Sequence, residues 1–150
     1  MAVRMPLLEA GKFLSRLDEI KAKHGPPPWS EVMVMTDDMQ AFLICQAPGH
    51  PTDTHYHEHD EWWIVFQGEI DWHIEGEPEP VHAQAGDIVF GPKFRWHHIE
   101  NVGTEPTIRL AIGVRGEFHR YDRPGCNPLD QSSVVSRQSS GDGRIVYPDR

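Results

Sequence analysis

Two cysteines in 150 residues, Cys45 and Cys126, are too few for a disulfide scaffold, and they have neither a paired CxxC nor a zinc-ribbon spacing. Each is expected as a free thiol, with Cys45, inside the run AFLIC, a small buried hydrophobe. Positive charge is also scarce. Fourteen Lys and Arg against twenty-three Asp and Glu leave a net charge of -9, and the cations are scattered along the chain. That excludes a basic face for a phosphate backbone, so nucleic acid is not an expected partner. Long apolar runs are missing too: AFLIC and IVF fall far short of the roughly 20 residues that span a bilayer. The start, MAVRMPLLEAGKFLSRLDEI, has no uninterrupted apolar stretch of the secretory kind. The expectation is a soluble cytoplasmic protein with no membrane partner.

What the chain has in quantity is punctuation. Thirteen Gly and thirteen Pro beside 38% hydrophobic residues favour many short elements over long helices, and the length suits one domain of the usual 100 to 200 or so residues. Ala10, Phe13, Leu14, Leu17 and Ile20 follow the i, i+3, i+4, i+7 rule, which predicts one short amphipathic helix within residues 6–23. His24, Gly25 and the run Pro26 to Pro28 stop it, with His24 facing solvent at its end.

After the prolines the texture changes to period two. WSEVMVM, the turn TDD and MQAFLICQA read as two strands with a tight connection, followed by EWWIVFQ, EIDWHIE, VHAQ, DIVFG, HHIENV and TIRLAIGV between Gly- and Pro-rich breaks. Strands this short and evenly spaced predict an all-β sandwich or barrel. The segment from residue 124 is rich in Ser, Gly, Asp and Pro and reads as an irregular extension, with the cluster RIVYP able to dock back. The expected organisation is residues 1–28 as helix and proline linker, 29–123 as barrel and 124–150 as extension.

The stretch HYHEHDEW, residues 55–62, carries the chemistry. On an extended segment His55 and His57 point the same way, about 7 Å apart along the chain, and Glu61 shares their parity. Two imidazoles and a hard carboxylate oxygen on one face suit one metal ion. A polar turn with solvated histidines is the alternative reading. The cluster runs straight into WWIVF, however, a stretch that should be buried, and unpaired polar groups at the edge of a core are costly.

The spacing of Gly49, His55, His57, Glu61 and Gly68 resembles the first motif of the cupin superfamily. Gly86, Pro92, His97 and Asn101 resemble its second, with Phe94 standing where that pattern usually has Gly. The resemblance covers roughly residues 31–115 and implies a small jelly-roll β-barrel. It also implies that His55, His57, Glu61 and His97 ligate one divalent transition metal, and that the chain forms a homodimer through its outer sheets, with EVMVMT a candidate exchanged edge. Three imidazoles and one carboxylate suit Fe(II), which is favoured, as well as Mn(II), Ni(II), Zn(II) or Cu(II). An octahedral ion would keep two further positions for substrate, dioxygen or water.

Other polar candidates are weaker. His59 keeps the ligand parity, but the family bends the chain between His57 and Glu61. His98 faces away from its neighbour His97, and His50, His82 and His119 sit in polar surroundings and are expected to be solvated. In EIDWHIE either Trp72 or His73 faces inward, and the apolar Trp72 is favoured. Trp63 and Val65 share the parity of Glu61. If Thr107, Arg109 and Ala111 face inward, the Arg109 guanidinium can bind a substrate carboxylate; in the opposite register Ile108, Leu110 and Ile112 fill the core and Arg109 is exposed. The candidate substrate pocket is Trp63, Trp72, Phe90 and Arg109.

Aromatic walls beside an oxygen-activating metal point to an Fe(II)-type dioxygenase acting on a small aromatic or carboxylate substrate. The layout also partly resembles 3-hydroxyanthranilate 3,4-dioxygenases, through His55, Glu61 and His97. It departs from them at Pro51 and Asn101, where that family places arginines, and in having His57, so that substrate is not predicted. A non-redox lyase or isomerase, with Tyr56, His59 or Glu69 as base, and a metal-containing small-molecule binding or sensing module stay open as alternatives.

Overall fold

The structure is a computed structural model that describes residues 13–129, together with the backbone of residues 138–139 and 145–146. Among the described residues there is a single helix, α1 (Leu17–His24), and it is shorter than its apolar pattern predicts. Ala10 lies outside the described residues, and Phe13 and Leu14 precede the helix with 80% and 61% of their surfaces exposed. The helix begins without a capping side chain, because Arg16 sits where Ser, Thr, Asp or Asn would satisfy the free amides. It ends where expected: Gly25, at φ 72°, donates its amide to the Lys21 carbonyl at 2.8 Å. His24 does not simply face solvent; its ring stacks on Trp29 at 4.8 Å and bonds the Glu31 carboxylate.

The period-two stretches emerge as strands β1 (Trp29–Met35), β2 (Met39–Gln46), β3 (Thr54–His55), β4 (Glu61–Gln67), β5 (Glu69–Ile74), β6 (Val81–Gln84), β7 (Ile88–Gly91), β8 (His97–Val102) and β9 (Thr107–Val114). Two strands of two residues each, β10 (Gln138–Ser139) and β11 (Ile145–Val146), pair with one another. A five-stranded sheet in the order β1-β2-β9-β4-β7 faces a four-stranded sheet in the order β3-β8-β5-β6, and all their pairings are antiparallel. This is the jelly-roll arrangement of an all-β domain. The core between the sheets holds Phe42, Ile44, Trp63, Val65, Ile70, Trp72, Val89 and Ile99. Burying each such side chain contributes roughly 1.5–3 kcal/mol.

The five-stranded sheet is apolar on its outer face as well. Leu43, Cys45, Ile108 and Trp29 form a second cluster, against which Leu17 and Ile20 of α1 pack. Cys45 is a buried thiol here, and burial pushes it up to about 11. With hydrophobic residues on both faces of β9, parity alone could not say which face turns inward. In the structure Thr107, Arg109 and Ala111 do, while Ile108 sits under the helix.

Gly68, at φ 81°, joins β4 to β5 where a Cβ would lie 2.9 Å from Thr107 Cγ2 and 3.0 Å from a backbone carbonyl, so no side chain fits. Phe94, at φ 64°, is the one non-glycine residue with positive φ among the described residues. The turn before β8 therefore keeps the backbone conformation that a glycine would take, and the Phe94 amide donates to the His57 carbonyl at 2.8 Å. Among the described residues no helix is long and apolar enough to cross a membrane.

Candidate metal centre

Two local pairings bring the candidate ligands together. His55 on β3 and His97 on β8 are register partners across an antiparallel ladder, so both side chains leave the same face, with ring centroids 4.4 Å apart. His57 lies two residues further along the extended segment, and its Nε2 faces that of His55 at 3.1 Å. Glu61 opens β4 in the opposite sheet; its Oε2 is 2.7 Å from His57 Nε2 and 3.8 Å from His97 Nε2. One donor atom from each of the four lies within 4.8 Å of the others. An ion bonded at about 2.0–2.3 Å to each donor requires separations of that size.

The donors fit a metal on a second count. His97 is 2% exposed, and neither of its ring nitrogens has a hydrogen-bond partner. A buried imidazole without a partner is costly in a closed protein, and coordination at Nε2 would relieve it.

Electrostatics describes the metal-free state. Burial pushes His55 down, to about 3, against the pull of Asp53, and it pushes His97 well below the usual imidazole range. Both rings are therefore neutral and offer lone pairs. Burial would also lower His57, but the Glu61 and Glu117 carboxylates outweigh it and hold His57 up, at about 10. The same contact holds Glu61 down, at about 2, although burial alone would raise it. A proton thus occupies His57 where an ion would bind. Loading a divalent ion at neutral pH should expel that proton, so apparent affinity should climb roughly tenfold per pH unit until His57 titrates near pH 10. Calorimetric titration in buffers of different ionisation enthalpy measures the release directly, and an affinity indifferent to pH would contradict it.

Two cavities flank the quartet. The first, partly open to solvent, brings Ile44, Trp63, Ile99 and Arg109 alongside His55, Glu61 and His97. The second lies toward Gln40, Phe42 and Glu117. Arg109 is 2% exposed, and its Nη1 donates to Gln46 Oε1 at 2.8 Å. Gln46 Oε1 also accepts from Asn101 Nδ2 at 3.0 Å, and Asn101 Oδ1 accepts from the Thr107 hydroxyl at 2.5 Å. A buried polar chain therefore aims the guanidinium, and Gln46 is a member that parity reasoning did not single out.

Two of the expected pocket residues lie elsewhere. Phe90 is 55% exposed on the outer face of β7, where it pairs with Trp62, because strand alternation turns Val89 and Gly91 inward instead. Trp72 does face inward and is fully buried, but it packs behind Trp63 with ring centroids 5.4 Å apart and does not line either cavity. Trp63 can approach the site because Gly91 has no side chain: a Cβ there would lie 2.7 Å from the indole. The candidate bases are also displaced. The Tyr56 hydroxyl donates to Asp122 at 2.7 Å, Glu69 sits beside His82 on the outer sheet surface, and His59 turns to Glu117.

His119, expected in solvent, lines both cavities. Its ring lies parallel to that of His55 with centroids 3.2 Å apart, and its Nδ1 is 2.6 Å from Asp53 Oδ2. His119 and Tyr121 stand two apart in EFHRYD, as His55 and His57 do, and that spacing was the available signal.

Comparison with known proteins bears on the family and the fold. The cupin domain family matches residues 42–113. The chain is 30% identical over 74 residues to an oxalate decarboxylase of Bacillus subtilis strain 168, a match that covers 47% of this chain and 19% of that enzyme. Among solved structures it is similar to an uncharacterised conserved protein with a double-stranded β-helix domain from Klebsiella pneumoniae. That protein is 28% identical with a TM-score of 0.55, over 69% of this chain and 90% of the other. An RmlC-like cupin of Methanocaldococcus jannaschii shares the fold at 22% identity and a TM-score of 0.55, over 61% and 84% of the two chains.

Proposed function

The chain belongs to the cupin superfamily, and on that premise we propose that it is a metal-dependent enzyme acting on a small carboxylate, a dioxygenase when the resident ion is Fe(II). The observation that carries this reading is Arg109, a buried guanidinium in the same cavity as Glu61, His55 and His97. Gln46 Oε1 fixes one edge of this guanidinium at 2.8 Å, and its planar fork suits the carboxylate of a substrate that enters the cavity. Trp63, Ile44, Ile99 and Ala111 form the apolar part of that cavity, beside Thr52, Asp53 and His119. With Trp72 and Phe90 outside it, the case for a large aromatic substrate weakens and the case for a small acid strengthens. A divalent ion in the quartet would supply Lewis acidity and, as iron, dioxygen activation.

The Bacillus subtilis relative favours a second reading. It is a decarboxylase with Mn(II) centres, and a non-redox lyase acting on a small carboxylate would use the same ion and the same arginine.

Metal analysis of anaerobically purified protein, followed by a panel of small carboxylic acids in an oxygen electrode with carbon dioxide detection, separates the two. Oxygen uptake supports the dioxygenase, whereas carbon dioxide release without net uptake supports the lyase. In either case Arg109→Gln should lower kcat/KM by about 10- to 150-fold, a loss of about 1.5–3 kcal/mol in transition-state stabilisation. Wild-type turnover of neutral analogues as fast as of acids would reject the carboxylate assignment.

A further inference from the structure

The chain leaving β9 does not run free. Tyr56 donates its amide to the Arg120 carbonyl at 3.2 Å and accepts from the Arg120 amide at 3.0 Å, and Thr54 makes the same reciprocal pair with Asn127 at 3.0 and 2.8 Å. Residues 117–127 thus lie as a strap along the segment that carries His55 and His57. The Tyr56–Asp122 hydrogen bond and the Arg123–Glu75 ion pair, at 2.8 Å, hold it from outside.

The inward side of the strap meets the two ligand histidines at their outer nitrogens. His57 Nδ1 is 3.1 Å from the Phe118 carbonyl and 3.8 Å from Glu117 Oε1. His55 Nδ1 is 3.2 Å from Asp53 Oδ1, while the other oxygen of Asp53 accepts from the Tyr121 hydroxyl and from His119 Nδ1. A neutral imidazole carries one N–H. If an acceptor holds that hydrogen at Nδ1, the lone pair must sit at Nε2, the atom each ring turns toward the quartet.

Asp53, His55 and His119 also cluster as though they could hold an ion themselves. Both clusters claim His55, through different ring nitrogens. Filling both at once would require a fully deprotonated, bridging imidazole, whereas one ion at Nε2 leaves a proton on His55 Nδ1, which faces Asp53 Oδ1 at 3.2 Å.

We propose that the strap is the outer sphere of the metal centre, with Asp53, secured by His119 and Tyr121, and Glu117, beside the Phe118 carbonyl, acting as positioning residues that orient His55 and His57 toward a single ion. This rests on the quartet being a metal site. The strap supplies no ligand of its own; it determines how well two of the four are presented.

The test uses the full chain with Co(II) alone, followed by its visible absorption and by competition with a chelator. Wild type should bind one Co(II). Asp53→Asn and Glu117→Gln should still bind one, with affinity lowered about 10- to 100-fold and the cobalt bands shifted, and Tyr121→Phe should lower it by a smaller factor. The metal-free melting temperature of Tyr121→Phe should stay near the wild-type value, and that of Glu117→Gln should fall modestly, because its carboxylate pairs with the protonated His57 before metal binds. These two variants carry the test should Asp53→Asn fail to fold. Two cobalt ions in wild type, one of them lost in Asp53→Asn, would overturn the proposal by making Asp53 a ligand. Unchanged affinity and spectrum in folded variants would reduce the strap to a structural role. A wild type that binds no cobalt would instead reject the metal site itself.

Discussion

Replacing His97 by Ala should eliminate metal binding while leaving the fold in place. His97 is the one ligand that the four-stranded sheet contributes from a strand remote in sequence from the 55–61 segment, and without it three donors remain on a single short stretch. The loss should exceed the roughly 10- to 100-fold that removing an outer partner costs. Wild-type protein at about 100 times its dissociation constant in metal should gain about 2.7 kcal/mol of stability, and His97→Ala should gain essentially none. The metal-free variant should melt moderately below wild type, because the packing of a buried ring is lost and the removal of two nitrogens without hydrogen-bond partners offsets only part of that cost. Thermal melts with and without Mn(II), joined to elemental analysis, check both parts. A variant that keeps its full metal-dependent rise would remove His97 from the ligand set.

The second large effect is expected at Trp63. This indole is 1% exposed, stands edge-on to His97 at 5.1 Å and packs on Trp72, so it is both the centre of the core and the floor of the metal cavity. Trp63→Ala should cost about 3–5 kcal/mol, a large part of the 5–15 kcal/mol or so that holds a typical domain together. It should lower the melting temperature by roughly 10 °C. Urea titration of metal-free protein measures the cost without interference from ligation. A loss below about 1 kcal/mol would mean that the core closes over the gap, and the cavity floor would then have to be assigned to other side chains.

Legibility varied with how local each signal is. The quartet was readable because alternation along an extended segment places His55 and His57 on one face, and because the motif spacing names Glu61 and His97. Strand limits followed from Gly and Pro breaks. EWWIVFQ and VHAQ correspond to β4 and β6 residue for residue. Alternation left Trp72 and His73 as rivals for the inward face and apolarity favours Trp72, yet whether an inward residue reaches the cavity or stops in the core behind it depends on depth in the sandwich, which neither signal encodes. Arg109 was undecidable because β9 is apolar on both faces, one covered by the opposite sheet and the other by α1. Phe90, expected in the pocket, sits on the exposed outer face of an edge strand, because the apolar character of a side chain does not say which face of its strand is covered.

By itself, then, the amino-acid order determined a small β-sandwich of the cupin kind and the four side chains able to share one ion, since period-two alternation, turn residues and motif spacing all act within a few residues. Tertiary structure alone decided that a buried arginine joins that site through Gln46 and Asn101, and that the segment after the last barrel strand folds back so that His119 lies on His55 and Tyr121 bonds Asp53. Those contacts join residues more than fifty positions apart. They arise because closing the barrel brings its mouth and the returning chain together, and no periodicity along the backbone carries that information.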